Sequence, residues 1–283
     1  DIKLAMQTID AAARAGADAV KFQNYRTEDF ILDDNLTYTY KSEGKEITES
    51  QLAMFKRNEL SDKQLFELKS FCDSKKIFFL STPTGIHGVK SLKKLNVLIL
   101  KNGSDFLTNL ELIQSMAETG IPTILSTGMA TLEEVKDAVN IFRDSGGKDL
   151  ILLHCTSSYP TPAEEINLRR IPKLRQDFNC VVGFSDHSEG SVAAIGSVLF
   201  GANVIEKHFT LDCKLPGPDH WFSSDPDEFK KLVSDVRHIE AAMGNDHIVP
   251  TNTEKLGRKQ FRLSCVASKN LIAGSILTEK DII

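Results

Sequence analysis

The sequence predicts an α/β fold of the (β/α)8 barrel type, and three observations carry the prediction. Short apolar runs of strand length alternate with segments of helical period along most of the chain. Polar residues gather directly after nearly every run, as expected of a barrel whose active site draws on all its strand ends; doubly wound sheets alternate in the same way, but this gathering favours the barrel. Finally, Ser185-Asp186-His187 ends one run and Glu206-Lys207-His208 ends the next, 21 residues later, which is the spacing of one βα unit. A chain of 283 residues suits one barrel with a small appendage.

The elements follow in order. Ile2, Met6, Ile9 and Ala13 recur at helical spacing, Gly16 acts as a stop, and Ala17-Asp18-Ala19-Val20-Lys21-Phe22-Gln23 reads as a strand. Residues 24–60 form a polar excursion interrupted by Tyr38, Tyr40 and Phe55, longer than ordinary βα loops and of a length that is usually functional or disordered. Ser61 and Gln64 make a capping box for a helix carrying Leu65, Leu68 and Phe71, and Ile77-Phe78-Phe79-Leu80 is the next strand. Further strands are expected at 97–101, 122–126, 151–155, 181–184 and 203–205, each followed by a helical segment. Thr131 with Glu134 caps one of these helices, and Asp225-Pro226 opens the last, which carries Phe229, Leu232, Val233 and Val236.

That makes seven strands where a closed barrel has eight and begins with one, so the first strand is expected to be absent from this chain. The barrel is assigned to residues 1–244. Residues 245–261, with Pro250 and Gly257, read as a linker. Residues 262–283 read as a second module, with a strand at 262–267, a turn at Ala273-Gly274 and a short element at 276–281, too small to hold its own core.

Composition excludes several classes. Net charge is −5, with acidic and basic residues interspersed, and no basic stripe points to nucleic acid or a membrane surface. No apolar stretch approaches the ~20 residues of a membrane span, and the chain opens on an amphipathic helix rather than a signal peptide. The five cysteines, Cys72, Cys155, Cys180, Cys213 and Cys265, are scattered and odd in number, which fits a reducing cytoplasm better than a disulfide framework.

Chemistry collects at the strand ends. Strand parity puts Lys21 and Gln23 on one face and Val20 and Phe22 on the other; with the apolar pair against the helices, Lys21 points into the barrel. Lys101 ends its own strand in the same way. Two inward ammonium groups need an anion, which implies a phosphate or carboxylate ligand. One such lysine alone would be read as snorkelling out of the rim. Ser81-Thr82-Pro83, Ser126-Thr127-Gly128-Met129 and Thr156-Ser157-Ser158-Tyr159-Pro160 add hydroxyl and amide donors suited to phosphate oxygens, although Ser and Thr at strand ends also serve as helix caps. Parallel strands point their carboxyl ends the same way, so His187 and His208 can converge on a metal, whose identity two ligands alone do not settle. Pro216-Gly217-Pro218-Asp219-His220 is a rigid loop that either contacts a polyhydroxylated substrate, Asp219 being the better candidate, or is an ordinary turn. Trp221 beside it is equally well a packing residue of a lid.

Taken together, Lys21-Phe22-Gln23, Ser81-Thr82-Pro83, Lys101 with Gly103-Ser104, Leu125 to Met129, His154-Cys155-Thr156 through Tyr159-Pro160, Phe184 to His187, Glu206 to Thr210 and Gly217-Pro218-Asp219 resemble the sialic acid synthases, from Asp1 to the last residue. The resemblance implies a TIM barrel followed by a small antifreeze-like (SAF) domain, of which Arg262 to Ile283 resembles the start. It implies condensation of phosphoenolpyruvate with an N-acetylated hexosamine such as N-acetylmannosamine, giving a nine-carbon 2-keto acid and phosphate. It also implies a homodimer in which each SAF domain covers the partner's barrel. By the same resemblance His187 and His208 bind Mn²⁺, with Mg²⁺ or Co²⁺ as alternatives; Lys21, Thr82, Lys101, Ser104, Ser126, Ser157 and Ser185 hold phosphoenolpyruvate, Lys21 and Lys101 also serving the chemistry; and Gln23, Tyr159 and Asp219 hold the sugar.

Three departures from the family pattern stand out. The Glu-Ile-Gly motif of the first strand, with its acid/base glutamate, is not in this chain, and the SAF domain stops early. An acidic residue common two positions after the counterpart of Ser104 is replaced by Phe106, with Asp105 one place earlier, which leaves open N-acetylmannosamine or a diacetamido sugar leading to a legionaminic or pseudaminic acid. Little activity is therefore expected from these residues alone. Two other readings are a Schiff-base aldolase using Lys21 or Lys101 and a non-catalytic fragment that binds ligand without turnover.

Overall fold

Asp1 starts the first helix, α1 (Ile2–Ala15), by accepting the Lys3 and Leu4 N–H groups, and Gly16 ends it at φ 91°, a left-handed cap that favours glycine. The computed structural model describes residues 1–33 and 35–283. After α1 the chain alternates as the sequence predicts. The units are β1 (Ala19–Asn24), α3 (Asp62–Lys75), β4 (Phe78–Pro83), α4 (Ile86–Lys94), β5 (Leu100–Asn102), α5 (Leu110–Ala117), β6 (Thr123–Ser126), α6 (Leu132–Asp144), β7 (Leu150–Cys155), α7 (Arg170–Phe178), β8 (Val181–Asp186), α8 (Val192–Leu199), β9 (Val204–Lys207) and α9 (Pro226–Met243). Both expected capping boxes form, Ser61 with Gln64 on α3 and Thr131 with Glu134 on α6, and Asp225 accepts the Asp227 and Glu228 N–H groups at the start of α9.

All strand pairs in these units are parallel. β1 pairs with β4, and β5 through β9 pair in sequence order as a five-stranded half-barrel sheet. One apolar layer lies between helices and strands: Phe22 stacks on Phe79 at 5.8 Å on the helix side of β1 and β4, which confirms the parity that turns Lys21 inward. A second, smaller cluster of Leu80, Ile124 and Leu153, with Ile99 and Val204 against it, draws on strands of both sheets and fills the concave side. Gly183 on β8 is required there, because a Cβ would stand 2.4 Å from the Val204 carbonyl oxygen and 2.6 Å from Leu153 Cδ2.

Among its described residues, the polar excursion at 24–60 forms regular structure. It contains an antiparallel hairpin, β2 (Thr37–Ser42) with β3 (Lys45–Ser50), followed by α2 (Gln51–Asn58). Glu43 and Gly44 turn the hairpin with φ 50° and 76°, the two positive values of a tight hairpin turn. Phe55 packs edge to face with Tyr25 and Phe30, and Tyr38 stacks on Tyr40 at 5.8 Å, which accounts for the aromatic interruptions.

The chain divides into two units, Asp1–Met243 and Gly244–Ile283. In the second unit the expected strand at 262–267 does not form among the described residues. One antiparallel bridge joins Ala267 to Ile282, and Leu263 is 97% exposed, so its apolar residues lack a surface against which a strand could pack. The turn at Ala273-Gly274 is present, with Gly274 at φ 90°, and Glu279–Asp281 forms a 3₁₀ turn.

Candidate functional site

Lys21 on β1, Lys101 on β5 and Glu206 on β9 meet on the concave side. Glu206 bridges the lysines, with Oε1 2.9 Å from Lys21 Nζ and Oε2 3.5 Å from Lys101 Nζ. Lys101 is 2% exposed, and burial pushes its ammonium down to about 8 against the pull of Glu206. Burial alone would raise the Glu206 carboxyl, but the two lysines outweigh it and hold it well below the usual carboxylate range. The lysines therefore find their first anion inside the protein, a correction to the expectation that a ligand must supply it. Two cations and one carboxylate still leave one positive charge for a ligand. Sequence reasoning had given Glu206 no role, although it alternates with His208 and so shares its face.

Hydroxyls ring this charge. Thr82 Oγ1, Ser126 Oγ and Ser157 Oγ are buried with no hydrogen-bond partner among the described residues, and Thr84 Oγ1 is in the same condition. An orphaned buried hydroxyl costs about 1–3 kcal/mol, so a group of them facing one space is better explained by a ligand's oxygens than by folding. Ser104 Oγ accepts the Gly128 N–H at 3.0 Å, and Ser185 Oγ lies 3.5 Å from both Glu206 Oε1 and His187 Nε2. Gly128 keeps the cradle open: a Cβ there would stand 2.4 Å from Ser157 Oγ and 2.7 Å from Ser104 Oγ.

Eleven of the twelve residues predicted from sequence line one cavity of about 720 Å³. Ser157, the twelfth, is not among the lining residues and lies beside Gly128, as does Ser104 of the cavity wall. Tyr159 and Asp219 lie with the imidazoles, Tyr159 4.3 Å from the His187 ring and 5.7 Å from that of His208, while Gln23 lines the same cavity as the register partner of Thr82. Asp219 Oδ2 is 3.9 Å from His208 Nδ1, and burial raises the Asp219 carboxyl. The hairpin closes this side, with Tyr38, Tyr40 and Lys41 in the wall and Lys41 Nζ 4.9 Å over the Trp221 ring. Ser42 Oγ accepts the Gly217 N–H at 3.1 Å, tying the hairpin to the Asp219 loop. His220 is engaged elsewhere, with Nδ1 2.7 Å from Thr210 Oγ1. A second cavity of about 820 Å³, lined by parts of 160–169 and 188–200, contains none of the predicted residues.

The imidazoles fit a divalent ion. Their centroids are 5.3 Å apart, close enough for a nitrogen of each to reach one ion at the usual ~2.1 Å. His187 Nδ1 donates to the Thr156 carbonyl at 2.8 Å, which in the neutral ring leaves Nε2 with its lone pair, the usual orientation of a metal-binding histidine; burial favours that neutral form, while Cys155, the Thr156 carbonyl and Glu206 outweigh it and raise the imidazole above its ordinary value. Burial, with His187 and Lys21 nearby, lowers His208 to about 3 and keeps it neutral. Among the described residues no three His, Cys, Asp or Glu side chains are arranged to hold an ion by themselves, so water or substrate must complete the shell.

A profile described as the NeuB family matches residues 8–248. An uncharacterised protein of Methanocaldococcus jannaschii is 43% identical over 100% of this chain and 80% of its own length. The N,N'-diacetyllegionaminic acid synthase of Campylobacter jejuni is 38% identical over 100% of this chain and 85% of its own. The crystal structure of N-acetylneuraminic acid (sialic acid) synthetase from Leptospira borgpetersenii superposes with a TM-score of 0.81 at 34% identity, covering 92% of this chain and 86% of that one.

Proposed function

The chain belongs to the NeuB family, and from that membership we propose that it condenses phosphoenolpyruvate with an N-acetylated hexosamine to give a nine-carbon 2-keto sugar acid and phosphate. The observation that carries the reading is the polarity of one cavity. Ammonium groups and orphaned hydroxyls line it together with two imidazoles, Gln23, Tyr159 and Asp219.

In this reading Lys101, desolvated and short of a full counter-charge, holds the phosphate and carboxylate of phosphoenolpyruvate with Lys21. Thr82, Ser104, Ser126, Ser157 and Ser185 donate to its oxygens. Asp219 accepts from sugar hydroxyls, Gln23 bonds the sugar and Tyr159 packs over it. Held this way, the enol carbon forms its bond to the aldehyde carbon, water adds at the phosphate-bearing carbon, and phosphate leaves with its oxygens still facing the donors. A divalent ion, Mn²⁺ with Mg²⁺ or Co²⁺ as alternatives, would be held by His187 and His208 and would supply Lewis-acid polarisation of the open-chain aldehyde.

The reading extends to the architecture. The two parallel sheets are taken as arcs of a TIM barrel, supported by the apolar cluster they share. Residues 262–283 are taken as the start of a SAF domain in a homodimer, supported by the unit boundary at Gly244. A cytoplasmic setting agrees with five free cysteines and with no helix long and apolar enough to cross a membrane among the described residues. Both Asp105 and Phe106 line the cavity, and the acceptor is either N-acetylmannosamine or a diacetamido sugar.

The test is phosphate release from phosphoenolpyruvate with each sugar, with and without Mn²⁺, alongside calorimetric titration of phosphoenolpyruvate. Binding of phosphoenolpyruvate is expected, with only slow phosphate release that depends on sugar and ion; a chain that neither releases phosphate nor binds phosphoenolpyruvate refutes the reading. The lowered Lys101 also suits a Schiff-base aldolase, which borohydride trapping with a carbonyl substrate would reveal.

A further inference from the structure

Behind the two histidines lies an ion pair that the proposed chemistry does not use. Lys207 Nζ is 2.9 Å from Asp186 Oδ2, with the two side chains 4% and 0% exposed. The two residues are register partners on β9 and β8, and each immediately precedes a histidine. Side chains alternate along a strand, so the pair stands on the face opposite Ser185 and Glu206, outside the cavity.

The pair is part of a closed network. Lys207 Nζ also donates to the Ser188 carbonyl at 2.7 Å. Asp186 Oδ1 accepts the Ser188 N–H at 2.9 Å and its hydroxyl at 2.6 Å. Lys207 therefore grips the residues on both sides of His187 while being bonded covalently to His208. The position of one imidazole is tied to the other through a single side chain.

Stability is a weak reason for such a pair. Taking two charges out of water costs several kcal/mol per ion, and well-packed apolar residues of similar volume often serve as well or better. What an apolar pair does not supply is direction: hydrogen bonds set the distance and angle between strand ends where the ladder is about to stop. Outer partners that orient metal-binding histidines act in this way.

We propose that Asp186 and Lys207 are positioning residues that fix the separation of the His187 and His208 imidazoles and thereby the affinity of the site for a divalent cation. This rests on the reading of the two histidines as a cation site.

The test uses the full chain, the double variant Asp186→Asn/Lys207→Met and the milder Ser188→Ala. The double variant removes both charges, so no unpaired ion is left buried. Ser188→Ala deletes one hydroxyl bond and serves where the double variant does not fold. Mn²⁺ binding is followed by electron paramagnetic resonance of the free ion, thermal melting reports the fold, and crystal structures report the ring separation. For the double variant, a cooperative melt, an Mn²⁺ dissociation constant raised about 10–100-fold and imidazoles displaced from their 5.3 Å separation are expected. Ser188→Ala should shift both readouts in the same direction by less. Folded variants with wild-type Mn²⁺ affinity and unmoved rings overturn the proposal. Absence of Mn²⁺ binding by the wild-type chain refutes the cation reading instead, and the ring separation in the variants then decides the positioning role alone.

Discussion

Lys21 Nζ lies 2.9 Å from Glu206 Oε1, and through that contact the site carries its own counter-ion. The carboxylate also reaches Lys101 at 3.5 Å, so one acid from β9 holds apart two cations from β1 and β5. This makes the anion site preformed: the lysines are placed before any ligand arrives, and the remaining positive charge selects a ligand that brings more than one negative oxygen.

Replacing Glu206 by glutamine should leave both ammonium groups unbalanced. A loss of about 3 kcal/mol is expected, as when one partner of a buried pair is removed. Inorganic phosphate should then raise the melting temperature of Glu206→Gln more than that of the wild type, because an external anion takes over the missing charge. Equal phosphate responses in thermal melts would count against this role.

Lys101→Met keeps the apolar stem and removes the charge at a position that is 2% exposed. The fold should survive, with Glu206 still paired to Lys21. Turnover should fall about 10²–10³-fold, the usual effect of deleting one donor aimed at developing charge. Steady-state phosphate release checks this, and near-normal turnover would remove Lys101 from the phosphate-binding set.

Gly128→Ala should fill the hydroxyl cradle, since its Cβ meets Ser157 Oγ at 2.4 Å and Ser104 Oγ at 2.7 Å. Overpacking of this kind destabilises by about 1–3 kcal/mol. The larger effect should be a raised KM for phosphoenolpyruvate with little change in that for the sugar. A change confined to the sugar's KM would place the phosphate elsewhere.

The hairpin over the site should be acid-sensitive. Arg57, at 2.8 and 2.9 Å, and the Tyr40 hydroxyl, at 2.6 Å, lower the Glu49 carboxyl from 4.5 to about 2. The folded value lies below the unfolded one, so the contribution is present above about pH 4.5 and is lost as pH falls toward 2. It should amount to about 1 kcal/mol, because Arg57 is 56% exposed and solvent screens the pair. The difference in urea stability between wild type and Glu49→Gln should therefore be constant near neutrality and shrink in acid; a difference that grows in acid would reverse the assignment.

Most of the architecture was legible because its signals are local. The capping boxes at Ser61 and Thr131 need only three residues each, and the strands announce themselves by runs of Val, Ile, Leu and Phe. The two failures come from non-local physics. The hairpin at 37–50 was hidden by its polarity, since a strand lying over a site rather than in a core carries little apolar pattern. The strand expected at 262–267 has the residues of a strand but pairs only at its end, where Val266 and Ala267 meet Ile282 and Ile283, and pairing is not a property of a segment.

By itself, the sequence determined the repeating units, the inward parity of Lys21 and the return of a histidine at the same place in successive repeats. These depend on period and side-chain alternation, which travel with the chain. Only the tertiary structure decided that Glu206 sits between Lys21 and Lys101, that Gly128 holds open a cradle shared with Ser157 and Ser104, and that Lys207 ties the two histidine-bearing strands together through Asp186 and Ser188. Each of those contacts joins separate strands or loops, and its strength depends on burial and on distances of a few ångströms, which exist only once the strands have packed together.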